Sequence, residues 1–251
     1  MRFPRGLLAA FALALFAGRA AAQEMAPAHG QWIVDLGAAA RVRPDRIGAN
    51  TYTLDVLPVI DAAYGKRIRL SLDDGARWTA IKAGRFSFGP VAEYRQAYND
   101  LRPPRTPKIA DALETGVFSQ VDLTYAVLEG RFRKALNAYY GYSGDLSLDT
   151  LIPIRPGLGF GLEARTGWAD HNFTMTHFTG PGGPLVPSSG VSDYWSAGFQ
   201  AGLIYRMKSG YGVTFGLSDD VILKPTPEDT NYRSRNALVV GIALTRRFMT
   251  H

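Results

Sequence analysis

The chain of 251 residues contains no cysteine. That absence removes disulfides, thiolate metal ligands and thiol nucleophiles together, so backbone pairing and packing must hold the fold. Histidine is nearly as scarce, with only His29, His171, His177 and His251, and no H-E-x-x-H spacing, which leaves a zinc site short of ligands. A strong excess of one charge is missing too. The formal charge is +6, and removing the three arginines of the first 22 residues, Arg2, Arg5 and Arg19, leaves +3, too little to argue for nucleic acid as a partner. Nor is the apolar stretch 195–217, WSAGFQAGLIYRMKSGYGVTFGL, a membrane helix: it carries five glycines and the polar break Arg206-Met207-Lys208 where about 20 mostly apolar residues are needed.

The first 22 residues read as a signal peptide. Arg2 and Arg5 form the basic start, Gly6 to Ala17 the apolar core, and Ala20-Ala21-Ala22 before Gln23 an A-x-A cleavage site. The core is short for a membrane anchor, and no cysteine follows to accept a lipid. The expected organisation is therefore 1–22 as leader and 23–251 as one exported domain without an internal linker.

With period two, the same stretch 195–217 becomes a hairpin. Trp195, Ala197, Phe199, Ala201, Leu203, Tyr205 and Met207 share one face, small and polar residues share the other, and the alternation resumes at Tyr211 after Lys208-Ser209-Gly210. The pattern recurs at 32–40, 52–60, 68–72, 76–82, 85–95, 117–128, 131–142, 146–154, 157–168, 211–219 and 236–248, which makes about twelve strands. Between them, tight turns are expected at Gly65-Lys66, Ala83-Gly84, Glu129-Gly130, Arg155-Pro156 and Lys208-Ser209-Gly210. Long loops are expected at 43–50, 96–116, 169–194 and 220–235, with two short exceptions, Asp73-Asp74-Gly75 and Ser143-Gly144-Asp145. In the loop at 96–116, Lys108 to Leu113 could form one or two helical turns between Thr106 and Gly116.

Tight turns at one end and long loops at the other are the signature of an all-β transmembrane antiparallel barrel, with short periplasmic turns and longer extracellular loops. In hydrocarbon every backbone donor needs a partner, so such a sheet must close, with its apolar face outward. Aromatic residues toward strand ends fit the two membrane interfaces. A secreted sandwich or lipocalin-like cup, with the apolar face inward, is the competing architecture.

On these registers the lumen face carries Asp35, Asp55, Asp61, Glu93, Asp122, Asp149 and Glu163 among Arg41, Arg67, Arg69, Arg77, Arg85, Arg95, Arg131, Arg133, Arg165 and Arg206. Arginine bridges carboxylates with two-pronged geometry, so cross-bracing is the plain reading and an ion path the functional one. Glu93 with Arg95, and Glu163 with Arg165, are spaced for local pairing. His171 and His177, beside Asp170, Thr174 and Thr176, are the only candidates for the general base of a hydrolase at the outer rim; no catalytic, cofactor-binding or metal residue is assigned.

The chain also resembles a family. W-I-V-D-L-G at 32–37, Pro44, Gly48, L-P-V-I at 57–60, Y-G-K-R at 64–67, F-G-P at 88–90 with Tyr94, and E-T-G at 114–116 are similar to the MipA/OmpV outer-membrane proteins. The likeness implies an outer-membrane location in a Gram-negative-type envelope, outer-membrane lipid as the surround, and a non-enzymatic scaffold role linking a lytic murein transglycosylase to a murein synthase. The alternative is a narrow outer-membrane channel or solute porin; a rim-site lipid hydrolase stands third.

Overall fold

The computed structural model describes residues 30–45, 47–95, 110–177, 179–180, 183–184, 192–224 and 234–250. The expected leader lies outside the described residues. The strands are β1 (Trp32–Pro44), β2 (Tyr52–Tyr64), β3 (Ile68–Ser71), β4 (Gly75–Trp78), β5 (Ile81–Ala83), β6 (Phe86–Arg95), β7 (Ala112–Asp122), β8 (Val127–Ala135), β9 (Tyr142–Arg155) and β10 (Leu158–Ala169). A short helix, α1 (His171–His177), and a two-residue ladder, β11 (Thr179–Gly180) with β12 (Gly183–Pro184), precede β13 (Tyr194–Arg206), β14 (Tyr211–Lys224) and β15 (Asn236–Met249).

Each long strand pairs antiparallel with its neighbours in sequence, and β1 pairs with β15 from Ile33–Met249 to Val42–Val240. The remaining seam closes on β6. Both β4, through Ala76–Ala92 and Arg77–Val91, and β5, through Ile81–Phe88 to Ala83–Phe86, pair with it, so the two pieces form one wall position and the barrel has twelve. The break at Thr79-Ala80 brings Trp78 hard against β6: a Cβ on Gly89 would lie 1.8 Å from the Trp78 carbonyl oxygen, so only glycine fits there.

The pleat sorts the side chains. Leu54 and Val56 are 65% and 71% exposed on the outside, while Asp35, Asp61, Ser87, Glu129 and Glu163 point into the lumen and are buried. Trp32, Tyr64, Tyr205, Tyr211 and Phe248 ring the end with the short turns; Tyr52, Tyr94, Tyr142, Trp168 and Trp195 ring the other. The apolar face is thus the outer one, and the sandwich and cup are excluded.

Three expectations change. The turn after β7 is not Glu129-Gly130 but 123–126, closed by Leu123 N–H to Ala126 C=O at 2.8 Å; Glu129 and Gly130 sit inside β8. A strand whose lumen face carries Glu129, Arg131 and Arg133 resembles a turn when hydropathy is the guide. The connection between β8 and β9 is likewise 136–141 rather than Ser143-Gly144-Asp145, which begin β9. It turns without glycine in its middle: Ala138 and Tyr140 take φ of 61° and 54°, and the Asn137 amide accepts from Leu113 N–H (2.7 Å) and donates to Asp111 C=O (2.9 Å). The helical turn expected at Lys108 to Leu113 is not formed where it is described, because Ala112 and Leu113 already pair with Arg95 and Tyr94 of β6; Lys108 and Ile109 lie outside the described residues.

An epitope inserted after Thr124 should leave a barrel that shows heat-modifiable gel migration, whereas the same insertion after Gly130 should abolish it, since it splits the β8 ladder with β7 and β9.

Candidate functional site: the charged lumen

The lumen is built from ion pairs in separate groups, some joining neighbouring strands and some tying strands that are distant in sequence. Near the periplasmic end, Asp35 on β1 accepts two forked arginines. Arg206 reaches it from β13 at 3.2 and 3.2 Å, and Arg247 from β15 at 3.0 and 2.7 Å. Beside it Arg69 bonds Asp61 at 3.1 Å. On the far wall Glu129 takes Arg77 at 2.5 Å and Arg131 at 2.7 Å, and the Arg77 guanidinium lies 5.5 Å from the Phe118 ring centroid. These groups leave little room: lumen-facing Phe118, Ile204, Thr214, Ala243 and Thr245 are each 4% exposed or less. The periplasmic half of the barrel is filled.

The outer half is different. A cavity of about 700 Å³ opens there, bordered by Arg41, Arg43, Asp145, Glu163, Arg165 and Asp220 among others. Arg41 reaches Asp55 at 3.3 Å, and Arg43 also bonds Asp55. Arg165 holds Asp220 at 2.8 and 2.5 Å and Gln200 at 2.7 Å. At the side of the cavity, Glu114 on β7 is completely buried and accepts from four donors: Arg95 at 2.5 Å, Arg133 at 3.0 Å, Tyr139 at 2.7 Å and Ser143 at 2.9 Å. Arg133 extends the group to Glu93 at 3.0 Å and Asp145 at 2.5 Å. Burial pushes the Tyr139 phenol well above its ordinary range, with Arg95 opposing and Glu114 adding to the shift, so this hydroxyl remains a donor.

Over this knot sits α1. Asp170 caps it, accepting from Phe173 N–H at 3.3 Å while its other oxygen takes Tyr142 N–H at 2.9 Å. Phe173 is 2% exposed and meets Tyr139 edge-on at 5.2 Å, Tyr194 at 5.2 Å and the Arg95 guanidinium at 5.6 Å. His177 stacks on Phe173 at 3.9 Å with Nδ1 2.9 Å from the Phe173 carbonyl, and His171 is exposed at the helix start. Both histidines thus belong to a helix rather than to an irregular loop, and His177 packs into its underside. Among the described residues no group of three or more histidine or carboxylate side chains is placed to hold a metal ion.

Comparison with known proteins decides the family. The family model described as MltA-interacting protein MipA matches residues 36–248. The chain belongs to the MipA family. Its barrel is accordingly an outer-membrane one. No curated protein matches it. Solved structures similar to this MipA-family chain include an outer membrane channel from Pseudomonas putida F1, at 8% identity and a TM-score of 0.47, covering 99% of this chain and 100% of that one. A loop L8 deletion mutant of OmpT, an outer membrane protein of Vibrio cholerae, has 10% identity and a TM-score of 0.41, covering 86% and 98%. Neisserial surface protein A has 12% identity and a TM-score of 0.29, covering 87% and 98%. Likenesses this distant carry nothing about function.

Of the charges expected in the lumen, Asp35, Arg41, Asp55, Asp61, Arg69, Arg77, Glu93, Arg95, Arg131, Arg133, Asp149, Glu163, Arg165 and Arg206 of this MipA-family barrel lie on its inner face. Asp122 marks the periplasmic end of β7, bonded to Lys82 and Gln120 at 2.6 Å each. Arg67 and Arg85 are exposed on the turns. Of the local pairs, Glu163 with Arg165 forms at 3.6 Å beside the closer Arg165–Asp220 contact, whereas Arg95 bonds Glu114 and leaves Glu93 to Arg131 and Arg133. Cross-strand neighbours lie closer than side chains two apart on one strand. Sequence reading missed Arg43, Glu114, Glu129, Asp145, Asp220 and Arg247. Period two carried through 112–122 and 127–155 would have put Glu114, Glu129 and Asp145 inside.

Removing Glu114 leaves buried Arg133 with less compensation. Glu114→Ala should therefore destabilise the barrel by about 3 kcal/mol, measured as urea-dependent unfolding in lipid vesicles, and Glu114→Gln by less because it keeps acceptor oxygen.

Proposed function

We propose that this MipA-family barrel is a non-enzymatic scaffold of the outer membrane, holding a murein-remodelling enzyme at its periplasmic face, rather than a solute porin. The observation that carries this reading is the filled periplasmic half. Asp35 with its two forked arginines, Glu129 with Arg77 and Arg131, and the buried Phe118 and Ile204 interrupt the lumen below the outer cavity. Sixteen- to eighteen-stranded porins keep a water channel and eight-stranded barrels fill with side chains, so a twelve-stranded lumen lies between and its side chains decide. A pore needs a continuous wet path, and this lumen ends on a floor.

The family's description supplies the partner. It names interaction with MltA, and the scaffold reading carries that to this chain as binding of a lytic murein transglycosylase, with a murein synthase as the second guest. The position of His177, stacked on Phe173 and turned to its own helix carbonyl, speaks against a rim-site hydrolase. A channel is favoured only if the floor opens.

In a planar bilayer the protein should give no resolvable conductance steps, and Arg206→Ala with Arg247→Ala, which empties the cations around Asp35, should create them. Immobilised barrel should retain a purified lytic transglycosylase of the MltA type. Steady conductance by the unaltered protein together with no retention would replace the scaffold by the channel.

A further inference from the structure

The closed floor has a charged border. Lys66 and Arg67 on the β2–β3 turn, Arg85 on the β5–β6 turn, Arg155 at the end of β9 and Lys208 on the β13–β14 turn are all exposed. None has an ion-pair partner among the described residues. Among the described residues the turns at this end carry no carboxylate; Asp122, at the end of β7, is bonded to Lys82 at 2.6 Å, and Asp35 and Asp61 are held by arginines inside the lumen. The described connections at the opposite end carry Asp45, Asp111, Asp170 and Asp193, beside the exposed cations Lys224 and Arg235. Among the described residues, the periplasmic turns thus carry cations without carboxylates, whereas the outer connections carry both signs.

Two features aim this rim at the periplasm rather than at the bilayer. Arg67 and Arg85 continue the lumen-facing sides of β3 and β6, beyond Arg69 and Ser87, so they border the floor and not the lipid. Where a cation at this end does face lipid, it takes another form: Arg246, on the outer side of β15, lies 5.4 Å from the Tyr211 ring and 5.2 Å from Phe248, amid the aromatic belt. We propose that the periplasmic rim is a cationic docking ring for the acidic face of a periplasmic protein. The inference rests on the scaffold reading and names the surface and the chemistry by which it works. Short turns offer little shape to recognise, but five unneutralised cations around a flat floor give a field that steers and orients an anionic partner.

The test uses full-length barrel in nanodiscs of zwitterionic lipid, with a purified MltA-type lytic transglycosylase as the probe on a biosensor. Binding should weaken tenfold or more between about 50 and about 300 mM salt, as exposed charges are screened. The variant Lys66→Glu, Arg67→Glu, Arg85→Glu, Lys208→Glu should lose binding while keeping heat-modifiable migration, and a control with Lys224→Glu and Arg235→Glu at the other end should bind normally. Unchanged binding by the rim variant, or binding indifferent to salt, would overturn the ring and leave the scaffold standing. Loss of enzyme binding when phosphatidylglycerol enters the disc would assign the cations to lipid headgroups and overturn it as well. Failure of the unaltered barrel to bind the enzyme at all would remove both proposals.

Discussion

In the hydrocarbon of a membrane no water stands ready to satisfy a backbone N–H or C=O, and each one left open costs several kcal/mol. The β1–β15 ladder and the β4–β6 and β5–β6 pairings answer that requirement. The last wall position is the weakest, made of two short pieces broken at Thr79-Ala80, and it depends on Gly89 letting β6 approach the Trp78 carbonyl. Once the sheet is closed, the pleat leaves one choice of face. Apolar side chains go to lipid, and charged ones are driven inward.

Charges driven inward must then be neutralised in a space of low polarisability, and the barrel does so with arginine forks on shared carboxylates. Asp35 gathers donors from strands remote in sequence and Glu114 from the strands and connection around it, and each such group pins the relative height of the strands that meet there. Buried ion pairs add little net stability, because desolvation offsets attraction, but breaking one strands a charge. The lumen network therefore acts on register and closure more than on total stability.

The distribution of those groups divides the barrel into two storeys. Ion pairs and packed apolar side chains fill the periplasmic storey, and a cavity of about 700 Å³ occupies the outer one under α1. A filled lower storey turns the periplasmic end into a surface instead of a mouth. That makes the cationic turns around it an interface feature, which in an open pore would read as a selectivity ring.

By itself the sequence determined the architecture. Period-two alternation from Trp32 to Phe248, the unequal connections and the missing cysteine fix a closed outer-membrane sheet, since face and closure follow from local alternation and from the solvent. The family was legible in the motifs of the first half. The alternation failed where charge hid a strand, at Glu129 to Arg133, and where an asparagine made the turn at 136–141 without a usual turn pair. Only the tertiary structure decided which charges pair, because partners are set by cross-strand register and barrel shear, which bring Asp35 to Arg247 across 212 positions and Glu114 to Ser143 across 29. It also decided that the lumen has a floor. Alternation says which residues face inward, but whether they meet across the axis depends on how twelve tilted strands close, and that is a property of the whole ring.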